Sequence, residues 1–416
     1  MDPILEQIAK IQTPYKTSPP CFCYPGTTLM QEFGEISKML TPLQINNIGS
    51  HTNGITSQNT EVLSEGGFEV PHQMERDYIW EISKMFYKTM PPEMIKDVID
   101  GYFCGGGTEG NIEGLWIGRE YLKSKCNDDI VVIVTPLTHY SIAKGAHILG
   151  INQHMQFVKM NDKFEMDVSD LKATIDKLMT TYHNFIVVGT VGTTMCGSID
   201  PISEINGLIK SYQNVNFYFH VDASFGGFTV PFVTTPDQIL IGFENSEVKS
   251  IVIDADKMGL LPYPSGIFMC RKDLQNHVMI DVPYVGSHMD MTISGSRTFV
   301  SVACGWYYLK HYGVPWHTQF VTECIAKRNT LAEMLSHIKG VTVLPCSPYT
   351  NMLPISASFD SKYINPLYNM RCDQLEYQGK MINVYKLCIF PHTFDYFDQF
   401  ASDLSHAIEM GNPSSP

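Results

Sequence analysis

Two residues with complementary chemistry, Lys257 and Asp222, each follow an apolar, β-rich run of the sequence. Lys257 comes four residues after the run at 250–253, and Asp222 ends the run at 217–222. The carboxyl ends of parallel strands meet at one edge of an open α/β sheet, where ligands bind. A lysine there can form a Schiff base, and a carboxylate can pair with a pyridinium nitrogen. The pair therefore predicts a site for pyridoxal 5'-phosphate (PLP).

A glycine-rich turn at residues 105–110 contains Gly106 and Gly107 directly before Thr108. It formally matches G-x-G-x-x-G, but no acid-terminated strand follows about 20 residues later, so it is weak as a dinucleotide fingerprint. Threonine is a good helix N-cap, and the N-terminus of a helix exposes backbone N–H groups that bind phosphate. On this pattern alone, a plain turn and an anion site are equally open.

His139 and Thr194 follow two further apolar runs, at residues 130–134 and 185–189. A lone histidine at a helix start is more often structural, but at the same sheet edge as Lys257 it could stack on a planar cofactor. The turn that contains Thr194 ordinarily caps the next helix, and one of its threonines could also face the cofactor.

A carboxylate at the end of an apolar strand costs free energy unless it is paired, so Asp222 could also have an ordinary backbone or lysine partner.

Strand-like and helix-like segments alternate through the middle of the chain. Short apolar runs separated by helices predict an α/β fold with a mostly parallel sheet covered on both faces. The predicted strands are residues 130–134, 185–189, 217–222 and 250–254, with 266–270 running the other way, and the predicted helices are residues 74–90, 139–149, 202–212 and 298–312, with another starting at Thr108.

Three segments are predicted from these elements. Residues 1–75 are rich in Pro, Thr, Asn, Gly and Gln, which favours an extended arm or a loop segment at the N-terminus. Residues 76–312 form the large ligand-binding domain. Residues 313–416 mix strand-like and helical pieces and form a smaller C-terminal α+β domain.

Composition limits the classes of function. The 416 residues carry a formal net charge of −14, which argues against binding to nucleic acid or to an anionic membrane. No run approaches the roughly 20 apolar residues of a membrane span, and the N-terminus lacks the features of a secretory signal, so a cytoplasmic protein is expected. The eleven cysteines are scattered and are expected to be free thiols, and no metal site is predicted.

Taken together, these stretches resemble the group II PLP-dependent amino-acid decarboxylases over roughly residues 65–410. The similarity is greatest to the short bacterial and archaeal members that act on histidine, tyrosine or aspartate. It is carried by Gly-Gly-Thr-Glu-Gly-Asn111, Thr-His139-Tyr-Ser, Gly-Thr-Thr194-Met-Cys-Gly-Ser-Ile-Asp200, His220-Val-Asp222-Ala-Ser-Phe-Gly-Gly227, Asp-Lys257-Met-Gly, Gly295-Ser-Arg297 and Pro391-His392. The resemblance implies the PLP-dependent transferase-like fold (fold type I) and decarboxylation of an L-amino acid to a primary amine and CO2.

The resemblance also implies roles for individual residues. Lys257 is the Schiff-base lysine, Asp222 pairs with the pyridine nitrogen and His139 stacks on the ring, and these three are the expected catalytic residues. The further residues expected to bind the cofactor are Gly106, Gly107 and Thr108 at the phosphate, Thr194 and Ser224 at the ring, and Gly295 and Ser296, which would reach the phosphate region of the neighbouring subunit across a homodimer interface.

Two positions depart from the family pattern. Asp256 stands where the family usually has a histidine that helps hold the phosphate, and Ser224 replaces the usual alanine. At about 4 Å, two like charges repel by on the order of 1 to 4 kcal/mol, so either Asp256 turns away, or another cation compensates, or cofactor affinity falls. Besides a decarboxylase, two alternatives stay open: a carbon–carbon lyase of the sphingosine-phosphate type, which shares the scaffold, and a non-catalytic relative that binds PLP weakly.

The sequence does not specify the substrate. Residues 49–54 are a candidate pocket wall, although a surface loop is the commoner role for such a segment. Tyr284 and His288 are candidates to return a proton to Cα of the product.

Overall fold

The computed structural model describes residues 15–41, 69–283 and 289–411. These form two compact units: a large unit of residues 29–41, 69–194, 198–283 and 289–321, and a small unit of residues 15–28, 195–197 and 322–411. The predicted domain boundaries at residues 75 and 312 stay predictions. Residues 49–54, Tyr284 and His288, which are candidates at the substrate site from the sequence, lie outside the described residues.

A seven-stranded sheet forms the centre of the large unit. Strands β2 to β6 are all parallel to one another, whereas β7 is antiparallel to both β1 and β6. This confirms the predicted, mostly parallel sheet and the reversed direction of the strand at 266–270. In spatial order the strands are β1 (Ile99–Cys104), β7 (Gly266–Arg271), β6 (Val248–Asp254), β5 (Asn216–Asp222), β4 (Asn184–Thr190), β2 (Ile130–Val134) and β3 (Met155–Phe157).

The central strands are buried along almost their whole length. Every residue of β2 and β4 is buried, and the core on one face includes Val132, Ile186 and Tyr218. A strand covered on both faces needs apolar residues at successive positions, not only at alternate ones. For this reason these strands are visible in the sequence as continuous apolar runs, and their bounds agree with prediction to within two residues.

Helices cover the sheet of the large unit. Side chains cap several of them; Asp167, for example, accepts hydrogen bonds from Ser169 N and Asp170 N. No helix in the described parts of the chain is long and apolar enough to cross a membrane. The helices are α1 (Gln31–Leu40), α2 (Glu69–Ser83), α3 (Pro92–Ile95), α4 (Gly107–Lys125), α5 (Tyr140–Ile148), α6 (Val168–Leu178), α7 (Ile202–Ser211), α8 (Val230–Val233), α9 (Phe299–His311) and α10 (Gly313–Ser336), within which the division between the units falls.

Helix α1 corrects one expectation. The segment before residue 75 was predicted to be an extended arm or a loop segment, but Gln31–Leu40 is helical and buries Phe33 on one face. A short two-stranded sheet, β8 (Ile280–Asp281) with β9 (Met289–Asp290), precedes α9.

The small unit is an α+β arrangement, as predicted. Its antiparallel sheet has the order β10 (Val341–Val343), β11 (Met352–Ala357), β13 (Lys380–Cys388) and β12 (Cys372–Tyr377), and helix α11 (Phe397–Gly411) follows. Phe22 is fully buried in the core of this unit and stacks on Phe400 with ring centroids 4.7 Å apart.

Candidate active site

The carboxyl ends of β4, β5 and β6 border a recess in the large unit. Thr190 ends β4, Asp222 ends β5 as its register partner, and Lys257 follows the end of β6. Five of the residues predicted from the sequence lie together here. The residues that line the recess are Leu137, His139, Thr190, Gly192, Thr194, Asp222, Ser224, Phe225 and Lys257.

Asp222 is a buried carboxylate surrounded by hydrogen-bond donors. Its Oδ1 accepts from the Ser224 hydroxyl at 2.6 Å and the Ser224 amide at 3.1 Å, and its Oδ2 accepts from Asn111 Nδ2 at 2.9 Å. Burial alone would raise the pKa of Asp222, but the Ser224 hydrogen bonds, the positive charge of Lys257 and the Asn111 bond outweigh it, so the pKa lies below its ordinary value. Asp222 is therefore ionised at neutral pH and can accept a further hydrogen bond from a ligand.

Lys257 is held by a second carboxylate, Asp254, which was not among the residues predicted from the sequence. The Lys257 Nζ lies 2.7 Å from Asp254 Oδ2, and the lysine side chain keeps 22% of its surface exposed. Burial acts to lower the pKa of Lys257, but the charge and hydrogen bond of Asp254, with a smaller contribution from Asp222, raise it above the ordinary value. In this state Lys257 is an ammonium ion, and it must lose a proton before it can act as a nucleophile.

His139 forms the N-cap of α5. Its Nδ1 lies 2.8 Å from Ser141 Oγ and 3.4 Å from the Ser141 amide nitrogen. Thr190 contributes a buried hydroxyl with no partner among the described residues. A buried unpaired hydroxyl that lines the recess is an available hydrogen-bonding group for a ligand.

The glycine turn comes into close contact with the residues of the recess. Gly106 has φ of 103°, which favours glycine, and Gly107 begins α4. A Cβ atom on Gly107 would lie 2.4 Å from Ser224 Oγ and 2.8 Å from Asp254 Oδ2, so any larger residue would displace these two side chains of the site. Thr108 follows in the first turn of α4. Backbone N–H groups in the first turn of a helix have no partner within the helix and can bind an anion.

Gly295 and Ser296 are not part of the Lys257 recess. Both are exposed, and Ser296 lines a neighbouring cleft together with Gly105, Glu109 and Arg297. The Arg297 guanidinium is buried, and it bonds to the Glu75 carboxylate and to the Phe103 carbonyl at 2.9 Å, which anchors this loop to β1. The predicted action of Gly295 and Ser296 on a neighbouring subunit stays a prediction.

Asp256 points towards the following loop. Its Oδ2 accepts a hydrogen bond from the Ser265 amide at 2.8 Å, and it is not among the residues that line the recess. Burial, followed by repulsion from Asp254, raises the pKa of Asp256 to about 7. Of the three possibilities stated for Asp256, this geometry agrees with the first, in which the side chain turns away.

The donor set fits PLP. An ionised, buried Asp222 suits a protonated ring nitrogen, Lys257 supplies an amine, and the N-terminus of α4 suits a phosphate. Thr190, Asn111 and Asp254 were missed as members of the site. Asp254 had a detectable signal, because it ends an apolar strand as Asp222 does.

Comparison with known proteins gives the family. A model described as the pyridoxal-dependent decarboxylase conserved domain matches residues 117–343. A protein of Methanosphaera stadtmanae named "Probable L-tyrosine/L-aspartate decarboxylase" is 32% identical over 84% of this chain and 86% of its own length. A tryptophan decarboxylase of Clostridium sporogenes is 31% identical over 64% of this chain and 61% of its own length.

The solved structures agree in fold. A sphingosine-1-phosphate lyase of Burkholderia pseudomallei superposes with a TM-score of 0.77 at 18% identity, covering 99% of this chain and 90% of its own. At this identity the likeness shows the fold alone. The family model and the Methanosphaera relative carry the conclusion that this chain belongs to the pyridoxal-dependent decarboxylase family, whose members are PLP-dependent carboxy-lyases.

Proposed function

We propose that this protein decarboxylates an L-amino acid to a primary amine and CO2, with PLP attached covalently at Lys257. The observation that carries the proposal is the convergence of Lys257 and Asp222 on one recess at the carboxyl ends of neighbouring strands. A primary amine and an ionised carboxylate facing one cavity are the two groups that PLP chemistry requires of the protein.

Each group of the recess has a distinct task in this proposal. Asp222 holds a proton on the ring nitrogen, and Ser224 and Asn111 fix the orientation of its carboxylate. His139 packs against the cofactor ring, and Thr190 offers a hydroxyl to a polar group of the ligand. PLP, when bound, accepts the electrons that are released when the bond between Cα and the carboxylate breaks.

Lys257 is proposed to move protons as well as to attach the cofactor. Asp254 stabilises the ammonium form of Lys257 at 2.7 Å, so proton transfer from this amine to a neighbouring atom is controlled by the Asp254 carboxylate. The Gly107 and Thr108 backbone N–H groups are proposed to bind the phosphate at the N-terminus of α4.

A panel of L-amino acids tests the reaction. The purified protein, loaded with PLP, is incubated with each amino acid, and CO2 and amine are quantified separately. Tyrosine, aspartate and tryptophan come first, because similar proteins carry those names. We expect equal amounts of CO2 and amine from at least one of them. Carbon–carbon lyase activity would give an aldehyde without CO2 from a β-hydroxy amino acid of the panel, such as threonine, and a non-catalytic relative would consume none of the substrates.

The position of Asp256 gives a prediction about cofactor affinity. Replacing Asp256 with histidine removes a negative charge near the proposed phosphate site and allows a positive one. Because the Asp256 carboxylate is turned towards the Ser265 amide, its repulsion acts at a distance, and we expect PLP to bind at most about 5-fold more tightly. The limit corresponds to about 1 kcal/mol, the repulsion of two charges about 4 Å apart at a solvent-like effective dielectric. Equilibrium titration of the cofactor-free protein with PLP measures the change.

The pH dependence separates charge from shape in that experiment. Since the pKa of Asp256 is raised to about 7, its carboxylate ionises as the pH rises through 7, and wild-type affinity should fall over that interval. Asp256→Asn should remove this fall, because it has no ionisable group. Equal affinities of wild type, Asp256→Asn and Asp256→His at pH 8 would show that the repulsion is absent.

A homodimer with Gly295 and Ser296 near the partner's cofactor, located in the cytoplasm, completes the proposal. Support for the dimer comes from exposed apolar side chains close in sequence to β8, β9 and that loop: Met279, Ile280 and Ile293. Exposed apolar side chains favour burial against another protein surface where they lie together.

A further inference from the structure

Asn111, in the second turn of α4, connects two members of the site. Its side chain is fully buried, and its Nδ2 donates to Asp222 Oδ2 at 2.9 Å and to Ser141 Oγ at 2.8 Å. Its Oδ1 lies 2.8 Å from His220 Nε2. The reverse orientation of the amide would place its oxygen against the ionised Asp222 carboxylate, which is repulsive, so the chemistry of the partners fixes the orientation.

The amide determines the position of hydrogen on His220. Because Asn111 Oδ1 can only accept, His220 Nε2 must donate. Burial lowers the pKa of His220 to about 4, so the ring is neutral and its Nδ1 is an acceptor. Ser250 then donates to that Nδ1 at 2.8 Å, and the Tyr218 hydroxyl donates to Ser250 at 2.9 Å. Every hydrogen in this buried chain is therefore directed towards Asp222.

The second branch determines the position of hydrogen on His139. Ser141 Oγ accepts from Asn111, so its own hydrogen is available to His139 Nδ1 at 2.8 Å. The Ser141 amide also approaches that Nδ1, and an amide can only donate. Both contacts make Nδ1 an acceptor, so the neutral ring of His139 carries its hydrogen on Nε2.

We infer that Asn111 is a positioning residue that sets the hydrogen-bond order of the site, orienting the Asp222 carboxylate directly and the His139 ring through Ser141. The inference about catalysis rests on the proposed function, since it assumes that Asp222 and His139 contact the cofactor. The assignment of donors and acceptors in the hydrogen-bond network does not rest on the proposed function. The same amide nitrogen of Asn111 donates to Asp222 and to Ser141, which contacts His139. Replacement of Asn111 should therefore disturb Asp222 and His139 together.

Neutron diffraction from the deuterated protein without added cofactor tests the hydrogen order directly. We expect deuterium on Nε2 of His139 and of His220, and on Ser141 Oγ directed at His139. Deuterium on Nδ1 of either ring would overturn the inference. This measurement does not use activity, so it stands even if no amino acid proves to be a substrate.

Variants test the positioning role in the PLP-loaded enzyme. Asn111→Leu keeps the branched shape of the side chain but removes its hydrogen bonds. It should lower kcat by about 10- to 100-fold with little change in KM, because a hydrogen bond to a charged group is lost. Asn111→Asp should give a kcat that falls as the pH rises, because two ionised carboxylates cannot lie 2.9 Å apart. Ser141→Ala removes only the branch to His139 and should have the smaller effect.

Asn184 supplies the matched control. It is also fully buried, and its Nδ2 donates to the carbonyls of Cys126 and Asp128, at the opposite end of the sheet from the recess. Asn184→Leu should lower the thermal midpoint but keep the kcat and pH profile of wild type. If Asn111→Leu and Ser141→Ala also keep them while wild type decarboxylates its substrate, Asn111 is merely structural and only this inference fails. If Asn111→Leu does not fold, the kcat of Ser141→Ala and the deuterium positions in the neutron map still test the inference.

Discussion

Lys257→Ala is expected to abolish covalent attachment of PLP and to lower kcat by at least about 10³-fold, because Lys257 is the amine that faces the recess beside Asp222. In wild type, borohydride reduction followed by peptide mass spectrometry should find the cofactor on the peptide that contains Lys257. The variant should give no labelled peptide, and its visible spectrum should be that of free PLP.

Two further lysine variants separate chemistry from stability. Lys257→Ala leaves Asp254 without its cation, so the variant should lose stability as the pH rises and buried carboxylates ionise. Lys257→Arg keeps a positive charge near Asp254 and should recover much of that stability without recovering activity. Lys249→Ala, at the other end of β6, should behave as wild type in the labelling experiment. A label at any other lysine would show that the attachment site is misassigned.

The positions of the strands could be predicted because the large unit buries them on both faces. Strands β2, β4, β5 and β6 each contain at least three successive apolar residues, and short runs of this kind between helices are typical of strands in a doubly covered sheet. Strand β1 was missed because Asp100 and Gly101 interrupt it. The structure shows the reason for the glycine: a Cβ on Gly101 would lie 2.3 Å from the Phe268 carbonyl of β7.

Part of the site was predictable for the same reason, and part was not. A carboxylate at a strand end identified Asp222, and the same criterion applies to Asp254, whose importance depends on a 2.7 Å contact that spacing alone does not reveal. Asn111 is a single polar residue within a helix. Its only signal is a stripe of glycines at 110, 114 and 118, which marks the face of α4 that packs closely on the sheet.

The loop at Gly295 and Ser296 shows a different limit. Its predicted role concerns a second subunit, and no pattern within one chain specifies the geometry of an interface. What the single chain does show is the anchor of that loop, the buried pair of Arg297 and Glu75. A buried ion pair constrains the positions of both its residues, so this pair holds the loop in place within the single chain.

Asp222 provides the second large prediction. Asp222→Ala should lower kcat by at least about 10³-fold, because the ring nitrogen loses the carboxylate that keeps it protonated. The substitution also leaves the donors of Ser224 and Asn111 without an acceptor, at a cost of roughly 1–3 kcal/mol of stability for each buried group. Asp222→Asn keeps one side-chain oxygen that can still accept a hydrogen bond from Ser224 or Asn111. It should therefore be more stable than Asp222→Ala and equally inactive.

Asp200 is the matched control for that experiment. It is also a buried carboxylate, and it accepts hydrogen bonds from the amides of Thr190 and Met166 at 2.7 Å each. Asp200→Asn should lower the thermal midpoint while kcat stays within about threefold of wild type, because Asp200 does not line the recess.

The pKa of Asp222 is lowered, so its contribution to stability is present at neutral pH and is lost as the pH falls through its folded-state pKa. Full activity in Asp222→Asn, measured beside a folded Asp200→Asn, would remove Asp222 from the reaction and with it the proposed orientation of the cofactor.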